Sequence, residues 1–165
     1  PLISRAHMEK VLQYIESGKR SGAELLCGGH RIDRQGWFVE PTIFAAPNGD
    51  MEIVKEEIFG PVLAVQRFST EQEAVQIAND TVYGLAGGVF TQDGAKALRV
   101  IKKLRAGITW INCYNPTFSE APWGGYKQSG IGRELGSFGL DEYTEVKQIN
   151  INLAVEPTGW FSAKP

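Results

Sequence analysis

The chain has 165 residues, of which 42% are hydrophobic and 22% charged, and its net charge is −2 at pH 7, a balance that excludes disordered and fibrous proteins. The basic residues form only two short clusters, Lys19–Arg20 and Lys102–Lys103, so we expect no nucleic-acid partner. No apolar run approaches the roughly 20 residues that span a bilayer, and two cysteines do not make a disulfide scaffold, so we expect no membrane association and a cytoplasmic location.

The first part of the chain predicts one helix followed by two short strands. Apolar residues recur at helical spacing from Ser4 to Arg20, and Ser4 is placed to cap the start of the helix. Residues 23–27 and 37–44 have the composition of short strands, and a turn-rich stretch separates them. We therefore predict an amphipathic helix and a hairpin or small ribbon.

After Pro61 the predicted elements alternate regularly. Strands are predicted at 62–68, 86–90 and 107–112, and helices at 70–79 and 94–105, the first with a Thr70/Glu73 capping box. Alternation of this kind is typical of parallel strands joined by crossover helices. The predicted fold class is therefore α/β.

The last part of the chain predicts a glycine-rich loop, a helical turn near 133–140 and a strand at 143–153. Both faces of that strand are mixed in polarity, so burial within its own domain is not expected. An exposed strand edge favours pairing with another sheet or subunit. Residues 154–165 are expected to form a tail.

The glycine-rich loop, APWGGYKQSGIGRELG at 121–136, is the most informative segment. Its five glycines permit positive φ angles and close backbone approach, which is typical of loops that wrap a site. It fits neither a dinucleotide fingerprint nor a P-loop, and it lacks the first glycine of a nucleophile elbow. A surface loop without a site remains the alternative.

A second motif, EEIFGP at 56–61, precedes a buried strand and presents an acid and a ring. Together with the glycine-rich loop and the segments PLIS, EPTIF, YGLAGGVFT, GITWIN and YTEVK, it resembles the NAD(P)-dependent aldehyde dehydrogenase superfamily along nearly the whole chain. The resemblance implies that residues 1–142 are the C-terminal portion of the catalytic domain, truncated at its N-terminus. It also implies that 143–153 is an oligomerisation strand, giving a homo-oligomer.

Within that superfamily, Trp123 in EAPWGGYKQSG makes the chain most similar to the betaine aldehyde and aminoaldehyde dehydrogenases. The resemblance implies oxidation of such an aldehyde to the acid with NAD or NADP. It places the nucleophilic cysteine and the general base outside this chain, so we expect the chain alone to be inactive. A general aliphatic aldehyde dehydrogenase and a non-catalytic assembly module of the same fold remain alternatives.

The resemblance also implies a cofactor-binding set. Glu57 matches an acid that accepts hydrogen bonds from the nicotinamide ribose, and an ionised carboxylate suits that role because it only accepts. Phe59 matches a ring beside the nicotinamide, and Lys10 matches a lysine that contacts the ribose. A solvated charge at Lys10 and a core position for Phe59 are the alternatives.

A further set is implied around the glycine-rich loop. Glu134 matches a proton relay, with pairing to Arg133 or capping of the next helical turn as alternatives. Trp123 would line the aldehyde tunnel, where an indole face attracts a quaternary ammonium. Two more aromatic residues, Tyr114 and Phe118, are candidate substrate contacts. Lys127 and Gly130 match a position that could bind K+ through backbone carbonyls. Cys113 is interpreted as a buried apolar residue rather than a nucleophile.

Overall fold

The computed structural model describes residues 1–153, which form a mixed α/β structure. In chain order its elements are α1 (Arg5–Arg20), β1 (Glu24–Cys27), β2 (Thr42–Ala45), α2 (Glu52–Lys55), β3 (Val62–Val65), α3 (Glu71–Asn79), β4 (Tyr83–Gly84), β5 (Ala86–Val89), α4 (Gly94–Ile101), β6 (Ile108–Ile111), β7 (Tyr126–Lys127) and α5 (Gly136–Asp141). None of the helices within 1–153 has the length and apolar character required to cross a membrane.

Helix α1 forms as predicted. The Ser4 hydroxyl accepts a hydrogen bond from the His7 N–H at 3.1 Å, which satisfies one of the free donors of the first turn. The last turn carries Lys19 and Arg20, whose charges suit the negative end of the helix dipole. The stripe of apolar residues faces the core.

The core lies between α1, β2 and α2. Met8, Val11 and Ile15 of α1 are buried, and they belong to one cluster with Phe44 of β2 and Ile53 of α2. The packing is tight enough to require glycine in places. A Cβ at Gly18 would lie 3.0 Å from Ile53 Cδ1, and one at Gly60 would lie 2.7 Å from Val11 Cγ2. The segment before β3 is therefore held directly against α1.

The first sheet has the order β1–β2–β3. Strands β1 and β2 are antiparallel with an irregularity between Leu25 and Cys27, and β2 and β3 are parallel with Thr42 opposite Val62. This confirms the predicted ribbon at 23–44. The second predicted strand is shorter than 37–44, because residues near its start pair elsewhere, in an isolated bridge between Arg31 and Val39.

The second half contains a parallel pair and a small antiparallel pair. Strands β5 and β6 run parallel, and α4 crosses between them, as the alternation predicted. β3 and β5 lie in different sheets. Sequence reasoning missed β4 and β7, which pair antiparallel over two residues each, with Tyr83 opposite Lys127. Elements this short carry no periodicity from which they could be predicted.

Only one of the two hydrogen bonds of the predicted α3 capping box is confirmed. The Thr70 hydroxyl accepts from the Glu73 N–H at 3.1 Å, as predicted. The Glu73 carboxylate, however, accepts from the N–H of Ser69 at 2.7 Å and not from that of Thr70. Helix α4 is shorter than its predicted range 94–105, because the chain turns after Ile101.

Residues 143–153 form no strand within the described chain, and the predicted strand, which is expected to pair with another sheet or subunit, stays a prediction. Two backbone bonds, from Tyr143 to Leu140 and from Thr144 to Asp141, continue the end of α5, and no ladder follows in the described part of the chain. The apolar side chains stay in solvent, with Val146 101% and Ile149 73% exposed. A strand needs a neighbouring strand to form its ladder, and the structure forms no ladder with 143–153 within the described residues. The predicted tail, 154–165, lies outside the described residues.

The ion pair between α3 and α4 predicts a pH-dependent stability. Two hydrogen bonds, at 2.8 and 2.7 Å, join Arg99 to the Glu71 carboxylate and lower the pKa of Glu71 from its usual 4.5. Because the folded-state pKa is depressed, the stabilisation is present above the unfolded-state pKa and is lost as the pH falls through the folded-state value.

Glu71→Gln should therefore lower the melting temperature of the protein at pH 7 and lower it by less at about pH 3, because the stabilisation is lost as the pH falls toward and through the lowered folded-state pKa. Thermal unfolding followed by circular dichroism at both pH values measures the difference. Glu24→Gln is the control, since Glu24 is exposed and has no ion pair among residues 1–153. An equal loss at both pH values would show that the pair contributes nothing electrostatic.

Candidate functional site

The turn between α2 and β3 presents an acid and a ring to solvent. Ile58 is buried and anchors the turn in the core, so its two neighbours point outward: Glu57 is exposed, and Phe59 is 73% exposed. Phe59 has a φ of 54°, which is uncommon for a residue other than glycine. The Phe59 ring therefore does not lie in the core of the described chain, and the alternative of a core position for Phe59 is wrong.

His7 holds this turn against α1. Its Nε2 lies 2.7 Å from the Phe59 carbonyl oxygen and donates to it, and the two ring centroids are 6.0 Å apart. The other ring nitrogen, Nδ1, is buried and has no hydrogen-bond partner. Lys10 follows His7 by one helical turn, so its exposed side chain leaves α1 on the same side. The turn of Glu57 and Phe59 is therefore held against the helix that carries Lys10, whose ammonium lies 5.7 Å from the centroid of the Tyr14 ring.

The glycine-rich loop is closed by a backbone pair. Trp123 and Glu134 exchange both N–H···O=C bonds, each at 2.7 Å, and Gly136 N–H donates to Ser119 O at 3.0 Å. Trp123, Glu134 and Gly130 line one open cavity of about 530 Å³. The structure therefore brings three of the predicted site residues together.

The loop can reach β6 only because glycines meet there. A Cβ added at Gly107, just before β6, would lie 1.7 Å from the carbonyl oxygen of Gly124. No side chain fits at that distance. The two glycines at the far side of the loop, Gly130 and Gly132, have φ angles of 131° and 83° and open space around them.

Glu134 has neither of the alternative roles considered for it. Arg133 donates to the carbonyl oxygens of Gly125 at 3.0 Å and Gly132 at 2.7 Å, not to the Glu134 carboxylate. Helix α5 begins after Leu135 with no side-chain cap. The Glu134 side chain is exposed within residues 1–153, so this part of the chain does not supply the burial that favours a proton relay.

The three candidate aromatic contacts do not form a cage in the described part of the chain. Tyr114 packs on Trp110, with centroids 4.8 Å apart, and the Trp110 indole donates to Pro116 O at 2.9 Å. Phe118 is 65% exposed. Trp123 is half-buried and makes no ring contact with either of them within 1–153. Of the three, Trp123 alone lines the cavity with Glu134.

Lys127 and Gly130, the two residues predicted to bind K+, lie in different surroundings. The Lys127 ammonium donates to the carbonyl oxygens of Asn79 at 2.8 Å and Thr81 at 2.9 Å, and so lies at the end of α3. Gly130 is exposed and lines the cavity of Trp123 and Glu134, which Lys127 does not line. Within residues 1–153 no three His, Cys, Asp or Glu side chains are grouped as metal ligands. Binding of K+ through the main chain of this pair stays a prediction.

Cys113 is exposed, so its interpretation as a buried apolar residue is wrong. It follows β6 directly, where the chain leaves the sheet with Asn112 at a φ of 55°. The Asn112 amide closes this turn by donating to Thr91 O at 2.9 Å. No histidine neighbours Cys113 in the sequence, so nothing nearby along the chain activates the thiol.

The predicted residues thus fall into two groups. Lys10, Glu57 and Phe59 lie beside the start of α1, and Trp123 and Glu134 lie on the glycine-rich loop. No hydrogen bond, ion pair or ring contact within 1–153 joins the groups.

Sequence reasoning missed His7, and it named Lys127 only as a main-chain ligand of K+ and missed the contact of its side chain with α3. His7 is separated from Phe59 by 52 residues, and Lys127 is separated from Asn79 by 48. Contacts over such separations leave no local pattern. The only sequence signal for His7 is its place in the first turn of a capped helix, and for Lys127 it is a long cation within a run of glycines.

The model of the aldehyde dehydrogenase family matches residues 1–149. The betaine aldehyde dehydrogenase of Bacillus subtilis (strain 168) is 53% identical over 167 residues, which cover 99% of this chain and 34% of that protein. Aminoaldehyde dehydrogenase 1, peroxisomal, of Pisum sativum is 51% identical over 163 residues, 98% of this chain and 32% of that protein. The chain spans about a third of the length of these relatives.

Solved structures agree in fold. Betaine aldehyde dehydrogenase from Staphylococcus aureus in complex with NAD+ superposes with a TM-score of 0.91 at 50% identity, over 99% of this chain and 33% of that one. Indole-3-acetaldehyde dehydrogenase complexed with NAD+ superposes with a TM-score of 0.85 at 49% identity, over 88% of this chain and 30% of that one. These matches confirm the predicted α/β fold.

The contact between Gly107 and Gly124 can be tested by adding one methyl group. Gly107→Ala should lower the free energy of unfolding by about 1–3 kcal/mol, because a Cβ there overlaps a carbonyl oxygen. Denaturant unfolding of the protein measures it. Gly94→Ala is the matched control: nothing lies within 4 Å of its Cβ, so its effect should stay within about 0.5 kcal/mol. Equal effects would contradict the close approach.

Proposed function

Since the chain belongs to the aldehyde dehydrogenase family, we propose that the protein containing it oxidises betaine aldehyde, or a related aminoaldehyde, to the carboxylic acid with NAD+. In the balanced reaction, aldehyde, water and NAD+ give acid, NADH and a proton. The observation that carries the proposal is that Trp123 and Glu134 line the same cavity, of about 530 Å³. The loop that carries both residues is closed by their own backbone hydrogen bonds.

The substrate side of the proposed site is the face of the Trp123 indole. A trimethylammonium group over an indole gains about 0.5–2 kcal/mol from the cation–π interaction. Tyr114 and Phe118 are exposed and are proposed to complete the aromatic lining only together with groups outside residues 1–153. Glu134 is proposed to relay protons once such groups cover it. The relatives named for betaine aldehyde and aminoaldehydes support this substrate class.

The cofactor side is the region of Lys10, Glu57 and Phe59, and its residues fit NAD+. Bound NAD+ supplies the hydride acceptor. The Glu57 carboxylate has no hydrogen-bond donor within residues 1–153, so its lone pairs are available to two ribose hydroxyls. The exposed Phe59 ring offers an apolar wall for the nicotinamide, and Lys10 supplies a donor nearby. Two solved relatives hold NAD+; use of NADP is the proposed alternative.

The nucleophilic thiol and the general base are proposed to lie outside this chain. Neither exposed cysteine sits beside the Trp123 cavity: Cys27 is on β1, and Cys113 follows β6. We also propose a cytoplasmic homo-oligomer in which residues 143–153 find their strand partner. The exposed apolar side chains of Val146, Ile149 and Ile151 in that segment support it.

A second candidate is an aldehyde dehydrogenase of broader range. The likeness to an indole-3-acetaldehyde dehydrogenase at 49% identity favours it, because that substrate carries no quaternary ammonium. Measuring NADH formation by the purified protein with betaine aldehyde, aminoaldehydes, indole-3-acetaldehyde and an aliphatic aldehyde separates the two candidates. If no aldehyde reduces NAD+ or NADP+, the proposal fails and the non-catalytic assembly module of the same fold becomes the favoured alternative.

Trp123→Ala tests the role of the indole. It should lower the preference for betaine aldehyde over its uncharged isostere 3,3-dimethylbutanal by about 2- to 30-fold, the equivalent of a cation–π interaction of about 0.5–2 kcal/mol. The measured quantity is the ratio of the two kcat/KM values. Trp37→Phe, a half-buried ring next to the core, is the control and should leave the ratio unchanged. An unaltered ratio in Trp123→Ala favours the broader enzyme.

Glu57→Gln tests the cofactor region. Replacing a charged acceptor of two hydroxyls should raise the KM for NAD+ by about ten-fold, since a hydrogen bond to a charged group contributes about 1.5 kcal/mol or more. The KM for the aldehyde should stay within about two-fold, because Glu57 lies outside the region of Trp123. Glu56→Gln, at the neighbouring exposed acid, provides the control. Equal effects of the two substitutions would show a general charge effect rather than ribose binding.

A further inference from the structure

The C-terminal end of α3 has no cation of its own. Its first turn carries Glu71 and Glu73, and its last turn has no basic residue, although free carbonyls at that end favour positive charge. Two lysines from other elements supply it. Lys55 contacts the Asp80 carboxylate at 2.7 Å and its carbonyl oxygen at 3.3 Å. Lys127 contacts the carbonyl oxygens of Asn79 and Thr81.

Asn79 fixes this carbonyl cradle in place. Its side chain donates to Lys103 O at 2.9 Å and accepts from the Arg105 N–H at 2.8 Å, which ties the end of α3 to the turn before β6. One of the two acceptors of the Lys127 ammonium, the Asn79 carbonyl, therefore belongs to a residue that a second, independent pair of hydrogen bonds holds in place.

Lys127 in turn fixes the glycine-rich loop. Its backbone pairs with Tyr83 in the β4–β7 ladder, and the next residues are held by bonds from Gln128 N–H to Val82 O and from Gly84 N–H to the Ser129 hydroxyl, both at 2.9 Å. Lys127 has a φ of 55°, a conformation that costs a residue other than glycine about 1 kcal/mol or more. A lysine occupies this unfavourable conformation, in which glycine would be unstrained.

We propose that the Lys127 side chain is a tethered cation that positions the loop carrying Trp123. It occupies a two-carbonyl cation site at the end of α3, and it thereby sets the indole over the aldehyde cavity. Lys127 is a positioning residue, since it touches neither the cofactor region nor the cavity formed by Trp123 and Glu134. The catalytic readout of this proposal rests on the proposed function; its stability readout does not.

The test is chemical rescue in the whole protein. Lys127→Gly removes the side chain and relieves the backbone strain, and n-butylammonium is the missing side chain in soluble form. The variant should lose about ten-fold or more in kcat/KM for the aldehyde while its KM for NAD+ stays within about two-fold, because misplacing a binding group costs this much in rate. Millimolar n-butylammonium should raise both its melting temperature and its kcat/KM, and n-butanol, which lacks the charge, should raise neither.

Two further variants complete the design. Lys127→Met keeps the apolar stem without the charge; it should share the loss of kcat/KM and resist rescue, because its own side chain fills the space. Lys102→Ala removes an exposed lysine outside the network and should behave as the wild type.

Equal responses to n-butylammonium and n-butanol, or a Lys127→Met variant with wild-type kcat/KM, overturn the tethered cation. If the wild-type protein oxidises no aldehyde, the proposed function fails. The melting temperatures of Lys127→Gly with the amine and with the alcohol still decide whether the site binds a cation.

Discussion

The arrangement of this chain depends on a backbone-to-backbone contact at the start of β6. Gly107 and Gly124 meet where any side chain would overlap a carbonyl oxygen, so the glycine-rich loop can lie flat on the end of the β5–β6 pair. From that contact the loop turns back on itself through the Trp123–Glu134 pair. The indole and the carboxylate owe their common cavity to these two contacts.

The second region depends on the core instead. Buried Ile58 and the close fit of Gly60 to Val11 fix the EEIFGP turn, and the His7 bond fixes its Phe59 carbonyl. The outward direction of Glu57 and Phe59 follows from one buried side chain between two exposed ones. An acid and a ring are thereby presented on a rigid support, which favours ordered binding of a ligand that has both hydroxyl and ring faces.

Much of the apolar surface of residues 1–153 remains in solvent. Leu63 and Val65 of β3 are 56% and 42% exposed, and Phe90 after β5 is 68% exposed. Apolar patches of this kind mark surfaces that other protein elements cover. They also explain why the proposed aromatic lining and the proton relay are incomplete within the described residues.

The sequence predicted what local signals encode. The N-cap residues Ser4 of α1 and Thr70 of α3, and the strand–helix order after Pro61, were confirmed, because they depend on neighbouring residues. The pairing of β4 with β7, the His7 contact and the ammonium of Lys127 at α3 could not be predicted, since they join residues about 40 or more positions apart. The candidate site residues were identified by their resemblance to family motifs. The sequence did not show that they fall into two groups, one beside α1 and one on the glycine-rich loop.

The long reach of Lys127 has a consequence for the order in which the chain folds. Its two acceptors belong to a helix end that Asn79 attaches to the turn before β6, so the acceptors exist only after α3, α4 and β6 have assembled. Closing a segment of that length costs chain entropy before the Lys127 contacts form, so we expect the loop to dock after the frame of α3, α4 and β6. A newly synthesised chain would therefore acquire its compact α/β frame first and become competent to bind ligand last.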